Sequence, residues 1–314
     1  MHHVKLVRPL ALTTLALSLA ACGNTPSAPK YAERVNAAAV SSDLTLTYPG
    51  LNLRDAAADA SGNLYVAGSD ASGQAVLRKL SPSGSTLWSK SFTRMSGSGP
   101  TYIGRIATDR AGNVYALSKL YTDDLPRTGN DDTNAFDTLS KVGPDGQDLG
   151  STDGKDDAFA FANDLSVDAA GNVYTILNAS WARVIKWPVR PDAPYLGLRA
   201  QVATLPTECA SARVSVSRNG SLLYAACATS ANVTLTQFKP DLTQGYRKVL
   251  TGDKVFDLVT SLAGSAFTLR QSDGNLFNKY NASGVWQWAQ GGVLGYHLAI
   301  NDAAKLYVDG GAVG

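Results

Sequence analysis

Histidine, cysteine and methionine are all scarce in this chain: three, three and two residues among 314. Two of the histidines stand at positions 2 and 3, so His297 is the sole histidine of the rest. That shortage confines any histidine-based nucleophile system to one place. No histidine lies near Cys209 or Cys227, which argues against a mixed thiol and imidazole metal site there. The sequence has no Gly-x-Ser-x-Gly elbow and no histidine at metal-ligand spacing from cysteines or acids. Charge is thin too, at 17% of residues, with 28 basic against 26 acidic side chains. No long segment keeps a helical period. What remains is rich in Gly, Ser, Thr, Asn and Asp, with short alternating runs broken by turn residues, the texture of an all-β chain.

The N-terminus must be set apart before any fold reasoning. "MHHVKLVR" is a short basic leader, and "PLALTTLALSLAA" is an apolar run too short for a comfortable membrane span. Leu19-Ala20-Ala21-Cys22 closes it and resembles a bacterial lipobox, in which the cysteine is lipidated and becomes the new first residue. The resemblance implies a signal peptide over 1–21, lipidation at Cys22, a flexible tether over 22–31, and a folded domain over 32–314. Gly23 lacks the acidic signal that resembles inner-membrane retention, so an outer-membrane anchor is the expectation for a host with two membranes. The leader carries Lys5 and Arg8; without them the balance is 26 against 26. A neutral domain has no generic attraction to nucleic acid, and that partner class is excluded. In an oxidising compartment Cys209 and Cys227, on either side of a turn near Asn219-Gly220, are expected to form a disulfide.

One hairpin recurs. "DAAADASGNLYVAG" (from 55), "RIATDRAGNVYALS" (105), "DLSVDAAGNVYTIL" (164), "RVSVSRNGSLLYAA" (213), "DLVTSLAGSAFTLR" (257) and "HLAINDAAKLYVDG" (297) start 50, 59, 49, 44 and 40 residues apart. A second strand pair follows five of them, as in "LRKLSPSGSTLWSKSF", joined by Pro, Gly or Asn turns. Four strands at this period make one propeller blade. The copy at 297 has room for two strands, so residues 32–50 are expected to supply the outer pair. The expected fold is a six-bladed, all-β propeller closed by strands from both termini, with seven blades as the alternative.

The Gly-Asn-Leu/Val-Tyr turn, followed by Lys, an apolar residue and Pro-x-Gly, resembles bacterial NHL and SBBP propeller repeats across most of 52–314. That resemblance implies a fold and says little about activity, because such propellers host enzymes and binding scaffolds alike.

The first residue of each copy is ionisable: Asp55, Arg105, Asp164, Arg213, Asp257 and His297. The start of the inner strand is expected to put this ring near the channel mouth. Two readings stay open. The ring either fastens blades through paired charges or presents a polar funnel to a ligand. Asp59, Asp109 and Asp168 precede tight turns and read as caps, replaced elsewhere by Ser217, Leu262 or Asn301. Acidic loops containing Asp131, Asp132 and Asp137 could take Ca²⁺, but their spacing matches no calcium loop. Otherwise no cofactor is expected. Trp181, Arg183, Lys186, Trp187 and Arg190 suit sugar or peptide contacts, although Trp187 occupies a packing position. Trp88 and Trp286 superficially resemble the Trp-docked repeats of quinone-cofactor dehydrogenases, a pattern the other copies lack.

The sequence thus points to a lipid-anchored envelope propeller that binds a protein partner or a small polar ligand. The alternatives are a channel-centred hydrolase, lyase or lactonase-like enzyme using His297 with Asp55 or Asp257, and an accessory factor in outer-membrane assembly.

Overall fold

The computed structural model describes residues 3–7, 42–47, 50–94, 99–120, 138–153, 162–177, 182–189, 201–205, 208–272, 274–291, 298–300 and 306–310. These residues form six four-stranded antiparallel sheets and no helix. From the inside outward, blade 1 is Leu51–Ala58, Leu64–Asp70, Ala75–Leu80 and Thr86–Phe92. Blade 2 is Tyr102–Thr108, Val114–Lys119, Thr138–Val142 and Asp148–Asp153. Blade 3 is Ala162–Val167, Val173–Leu177, Arg183–Trp187 and Gln201–Thr204. Blade 4 is Ser211–Val216, Leu223–Ala228, Asn232–Phe238 and Gln244–Thr251. Blade 5 is Lys254–Thr260, Ala266–Ser272, Gly274–Tyr280 and Trp286–Gly291.

The sixth sheet joins both ends of the chain: Leu298–Ile300, Leu306–Gly310, His3–Val7 and Ser42–Thr47. Sequence reasoning drew both outer strands from 32–50. Only the outermost comes from there. The other is His3–Val7, inside the segment read as a leader, and it pairs Leu6 with Tyr307 and Val7 with Ser42. The residues "HVKLV" alternate apolar and polar as a strand does, which composition alone does not separate from a basic leader.

The burial gradient follows the layering. Second strands are covered on both faces, as Leu64–Asp70 and Leu223–Ala228 are, and read as continuous apolar runs. Outer strands such as Thr86–Phe92 and Gln244–Thr251 keep one face in water and alternate. The core lies between blades. Tyr65 and Leu77 of blade 1 share a cluster with Ile103 and Val142 of blade 2, and similar clusters fill the next three seams. Phe256 and Leu269 of blade 5 meet Leu298 of the closing sheet. Burying these faces against the next blade removes apolar surface from water, at about 25 cal/mol per Å².

The turn carboxylates hold their own hairpins. Asp59 Oδ1 accepts the Ser61 and Asn63 amides at 3.0 and 2.9 Å, and Oδ2 accepts the Asn63 side chain at 2.8 Å. Asp109 and Asp168 bond Asn113 and Asn172 in the same way. In blade 5 the equivalent residue is Ser261, not Leu262. Its carbonyl accepts Gly264 N–H as that of Asp59 accepts Gly62, and its hydroxyl accepts Ser265 N–H at 3.1 Å.

Candidate functional site

The inner strands of all six sheets line one channel cavity of about 110 Å³. Near one end lie Asp55, Arg105, Asp164 and Asp257. They stand partway along their strands rather than at the start. Asp55 is the fifth residue of Leu51–Ala58 and Asp164 the third of Ala162–Val167. In blades 1, 2, 3 and 5 a register shift immediately precedes the ring residue: Leu53/Asp55, Ile103/Arg105, Ala162/Asp164 and Val255/Asp257. A bulge re-aims the side chain that follows it. The ring is therefore built into the channel wall, and Asp55, Asp164 and Asp257 are all buried.

Each side chain reaches the neighbouring blade. Asp55 Oδ2 accepts Ile106 N–H of blade 2 at 2.7 Å. Arg105 Nε lies 3.3 Å from Asp164 Oδ1, joining blades 2 and 3. Asp164 Oδ2 accepts Val214 N–H of blade 4 at 2.9 Å. Arg213 Nε donates to Phe256 O of blade 5 at 2.7 Å. Asp257 Oδ2 accepts Leu298 N–H of the closing sheet at 2.6 Å. Five consecutive seams thus carry a bond from this ring. His297, which would serve the sixth, lies outside the described residues.

Burial dominates the electrostatics. Desolvation pushes the Asp55 carboxyl up to about 8, against the pull of Arg105 and with a further push from Asp257. Desolvation likewise raises Asp257 to about 7, and it raises Asp164 against both arginines. The Arg213 guanidinium is lowered to about 10, first by burial and then by Arg105. The five described groups would carry 2 − 3 = −1 if all were ionised. One retained proton makes the ring neutral, which a buried site favours.

The other end of the channel is crossed by Arg218, a residue sequence reasoning passed over. It stands in the first turn of blade 4. Its guanidinium donates to Thr108 O and, at 3.2 Å, to Thr108 Oγ1 of blade 2; it also donates at 3.1 Å to Ala58 O of blade 1. One side chain thereby spans the channel and ties the inner-strand ends of three blades. Its register did not single it out: Arg218 follows the cap residue Ser217, where blades 1 and 3 carry Ala60 and Ala169 but blade 2 carries Arg110. Arg218→Ala would strip charge-assisted donors from two blade ends. The expected loss is about 2 kcal/mol, read as a lower denaturant midpoint; an unchanged midpoint would show that the bridge does not hold the blades together.

Other candidates disperse. Cys209 and Cys227 form the expected disulfide, 18 residues apart. Trp187 is buried with its Nε1 donating to Thr175 Oγ1 at 3.0 Å, and Lys186 donates to Pro240 O of blade 4 at 2.9 Å. Trp187 is therefore not available to a sugar or peptide. Trp181, Arg190, Cys22, Asp131, Asp132 and Asp137 lie outside the described residues. Among the described residues no group of three His, Cys, Asp or Glu side chains is arranged to hold a metal ion.

The sequence matches no protein-family model and no curated protein. Solved structures do match. One is a chain from the crystal structure of a nidogen/laminin complex, with a TM-score of 0.53 and 14% identity over 84% of this chain and 86% of that one. Another is a protein of unknown function from Bacteroides caccae, with a TM-score of 0.49 and 16% identity over 79% and 85% of the two chains. The first likeness is one of fold, and the fold is a β-propeller.

Proposed function

We propose that this chain is a cell-envelope lipoprotein whose propeller is a protein-interaction scaffold. The observation that carries the scaffold half is the use made of the channel charges: Asp55, Asp164, Arg213 and Asp257 are spent on backbone groups of neighbouring blades. A channel-centred hydrolase or lactonase would need Asp55 or Asp257 turned toward substrate, at the cost of a seam. Recognition then falls to the outer surface. The nidogen/laminin propeller match comes from a structure of a complex, which supports the reading by analogy of fold alone. The anchoring half rests on Leu19-Ala20-Ala21-Cys22. Export with lipid at Cys22 would set the domain on a membrane surface, the outer membrane in a host that has two.

Cys22→Ala tests the anchor. Labelled fatty acid should enter the native protein and not the variant, and the native mass should lack residues 1–21. An intact leader in a functional native protein would sink this half of the reading and leave His3–Val7 in its strand. Crosslinking in intact cells should then trap an envelope protein on the native chain. Turnover of a substrate that vanishes in His297→Ala, with stability kept, would overturn the scaffold in favour of the enzyme.

A further inference from the structure

Beyond the inner ring, the blades are fastened a second time at the level of the third strand. Lys79 of blade 1 pairs across the sheet with Tyr65 and with Trp88. Its Nζ donates to Pro144 O of blade 2 at 3.1 Å, and Trp88 Nε1 donates to the same oxygen at 2.9 Å. Lys186 of blade 3 donates to Pro240 O of blade 4 at 2.9 Å, and Gln237 of blade 4 donates to Ala282 O of blade 5 at 2.7 Å. Each acceptor is the second residue of a turn between third and fourth strands. The gripped turns read Gly143-Pro144-Asp145-Gly146, Lys239-Pro240-Asp241-Leu242 and Asn281-Ala282-Ser283-Gly284. Glycine closes the turn where the gripping blade brings an aromatic ring. A Cβ at Gly146 would lie 3.2 Å from the Trp88 ring, and one at Gly284 would run into the Tyr246 ring. Blade 3 sets Gln201 opposite Lys186 instead, and there Leu242 closes the turn.

Blade 5 carries the same seat. Lys279 pairs with Phe267 on one side and Trp288 on the other, so the equivalent of Trp88 is Trp288, not Trp286. Lys279 Nζ lies 5.5 Å from the centre of the Phe267 ring, and neither it nor Trp288 Nε1 meets an acceptor among the described residues. Two further ties are missing. Tyr65 and Tyr224 donate to Gly112 O and Gly264 O of the next blade, whereas Phe267 has no hydroxyl. Lys79 Nζ lies 3.6 Å from the Asp59 carboxylate, whereas Ser261 stands at that place in blade 5. Trp288 is 37% exposed even with His3–Val7 in its strand, and Trp286 and Val285 beside it are 52% and 56% exposed. The opening therefore does not depend on processing before Cys22.

We infer that the blade 5 seat docks an exposed Pro-Asp-Gly turn of a partner protein. This rests on the scaffold reading and names the partner's chemistry. The grips of the other blades supply the geometry: the proline carbonyl goes to Lys279 and Trp288, and the glycine lies against the Trp288 indole. Charge supplies the middle residue. An aspartate there, as at Asp145 and Asp241, gives Lys279 the counter-charge that Asp59 gives Lys79. A second copy of this chain lacks that match, because the turn that blade 1 exposes, Ser81-Pro82-Ser83-Gly84, carries Ser83 in the carboxylate's place.

A fluorescent, cyclised hairpin peptide with Gly-Pro-Asp-Gly as its turn tests this, by anisotropy against the full chain. Native protein should bind it. Lys279→Leu and Trp288→Ala should each weaken binding about tenfold, the ratio that corresponds to about 1.4 kcal/mol. Lys279→Gln should keep binding, because Gln237 makes the same grip in blade 4. A hairpin with valine for the turn glycine should fail on native protein, a result that no misfolded variant can imitate. Equal binding of the two hairpins, equal binding by native and Trp288→Ala chains, or no binding to native protein would each overturn the inference. So would self-association that rises with protein concentration and disappears in Trp288→Ala, which would make a second copy the occupant. Crosslinking in intact cells is read separately: an envelope protein trapped on a chain that ignores the hairpin leaves the scaffold reading standing and overturns this seat alone.

Discussion

Arg105→Ala is expected to destabilise the propeller by about 3–5 kcal/mol, the cost of breaking a buried pair and leaving its partner charge in place. For a domain of this size that corresponds to roughly 10 °C in the thermal midpoint. Arg105 sits among Asp55, Asp164 and Asp257, and its charge opposes the upward push on all three carboxyls. Removing it leaves Arg213 as the one described arginine of the ring. The variant's loss should shrink as pH falls, because protonated carboxyls no longer need the cation. A lysine at 105 restores charge without the planar fork and should recover part of the loss. Urea midpoints at two pH values read all of this. A ligand funnel predicts the opposite pattern: Arg105→Ala would leave stability near native and abolish binding of a polar ligand. A stability loss under 1 kcal/mol would therefore reject the fastening role.

The repeat was legible because each copy repeats a local instruction: a cap residue, a turn glycine and a buried tyrosine at fixed offsets. Tyr65, Tyr115, Tyr174 and Tyr224 are all fully buried, as their spacing implied. The ring residues were found for the same reason, but their depth was not. Their depth depends on bulges, which come from how one strand pairs with its neighbour and leave no fixed mark in composition. Arg218 escaped for a different reason. It contacts residues 110 and 160 positions away, and nothing local distinguishes it from an exposed turn arginine such as Arg110. The third strand of the closing sheet escaped because "HVKLV" satisfies two rules at once, a basic leader and an alternating strand. The two uses exclude each other in one molecule: processing before Cys22 would remove the strand. The mass of the native N-terminus therefore decides more than localisation. It decides whether Leu306–Gly310 keeps His3–Val7 as its neighbour or must pair with another segment.

Stability of the native protein is expected to rise as pH falls from about 8 to about 5. The sign follows from the ring. Asp55 and Asp257 ionise near 3.8 in the unfolded chain and at about 8 and about 7 in the folded one, so across this interval the folded state holds the extra proton. Stability then falls as pH rises: the contribution is complete below 3.8 and lost as pH climbs through about 7 to 8. The charges facing these carboxyls across the channel are Asp164, Arg105 and Arg213. Each retained proton contributes a slope of about 1.4 kcal/mol per pH unit. Asp70 is lowered first by the Ser72 hydroxyl and Asp241 first by the Thr243 amide; both act in the opposite sense, and only below 3.8. Asp55→Asn removes the ionisable group while its amide oxygen can still accept Ile106 N–H. It should therefore hold the blade 1 to blade 2 seam and flatten the slope between pH 5.5 and 8.5. Parallel slopes for native and Asp55→Asn protein would show that the ring does not carry the proton, and the neutral-ring account would fail with it.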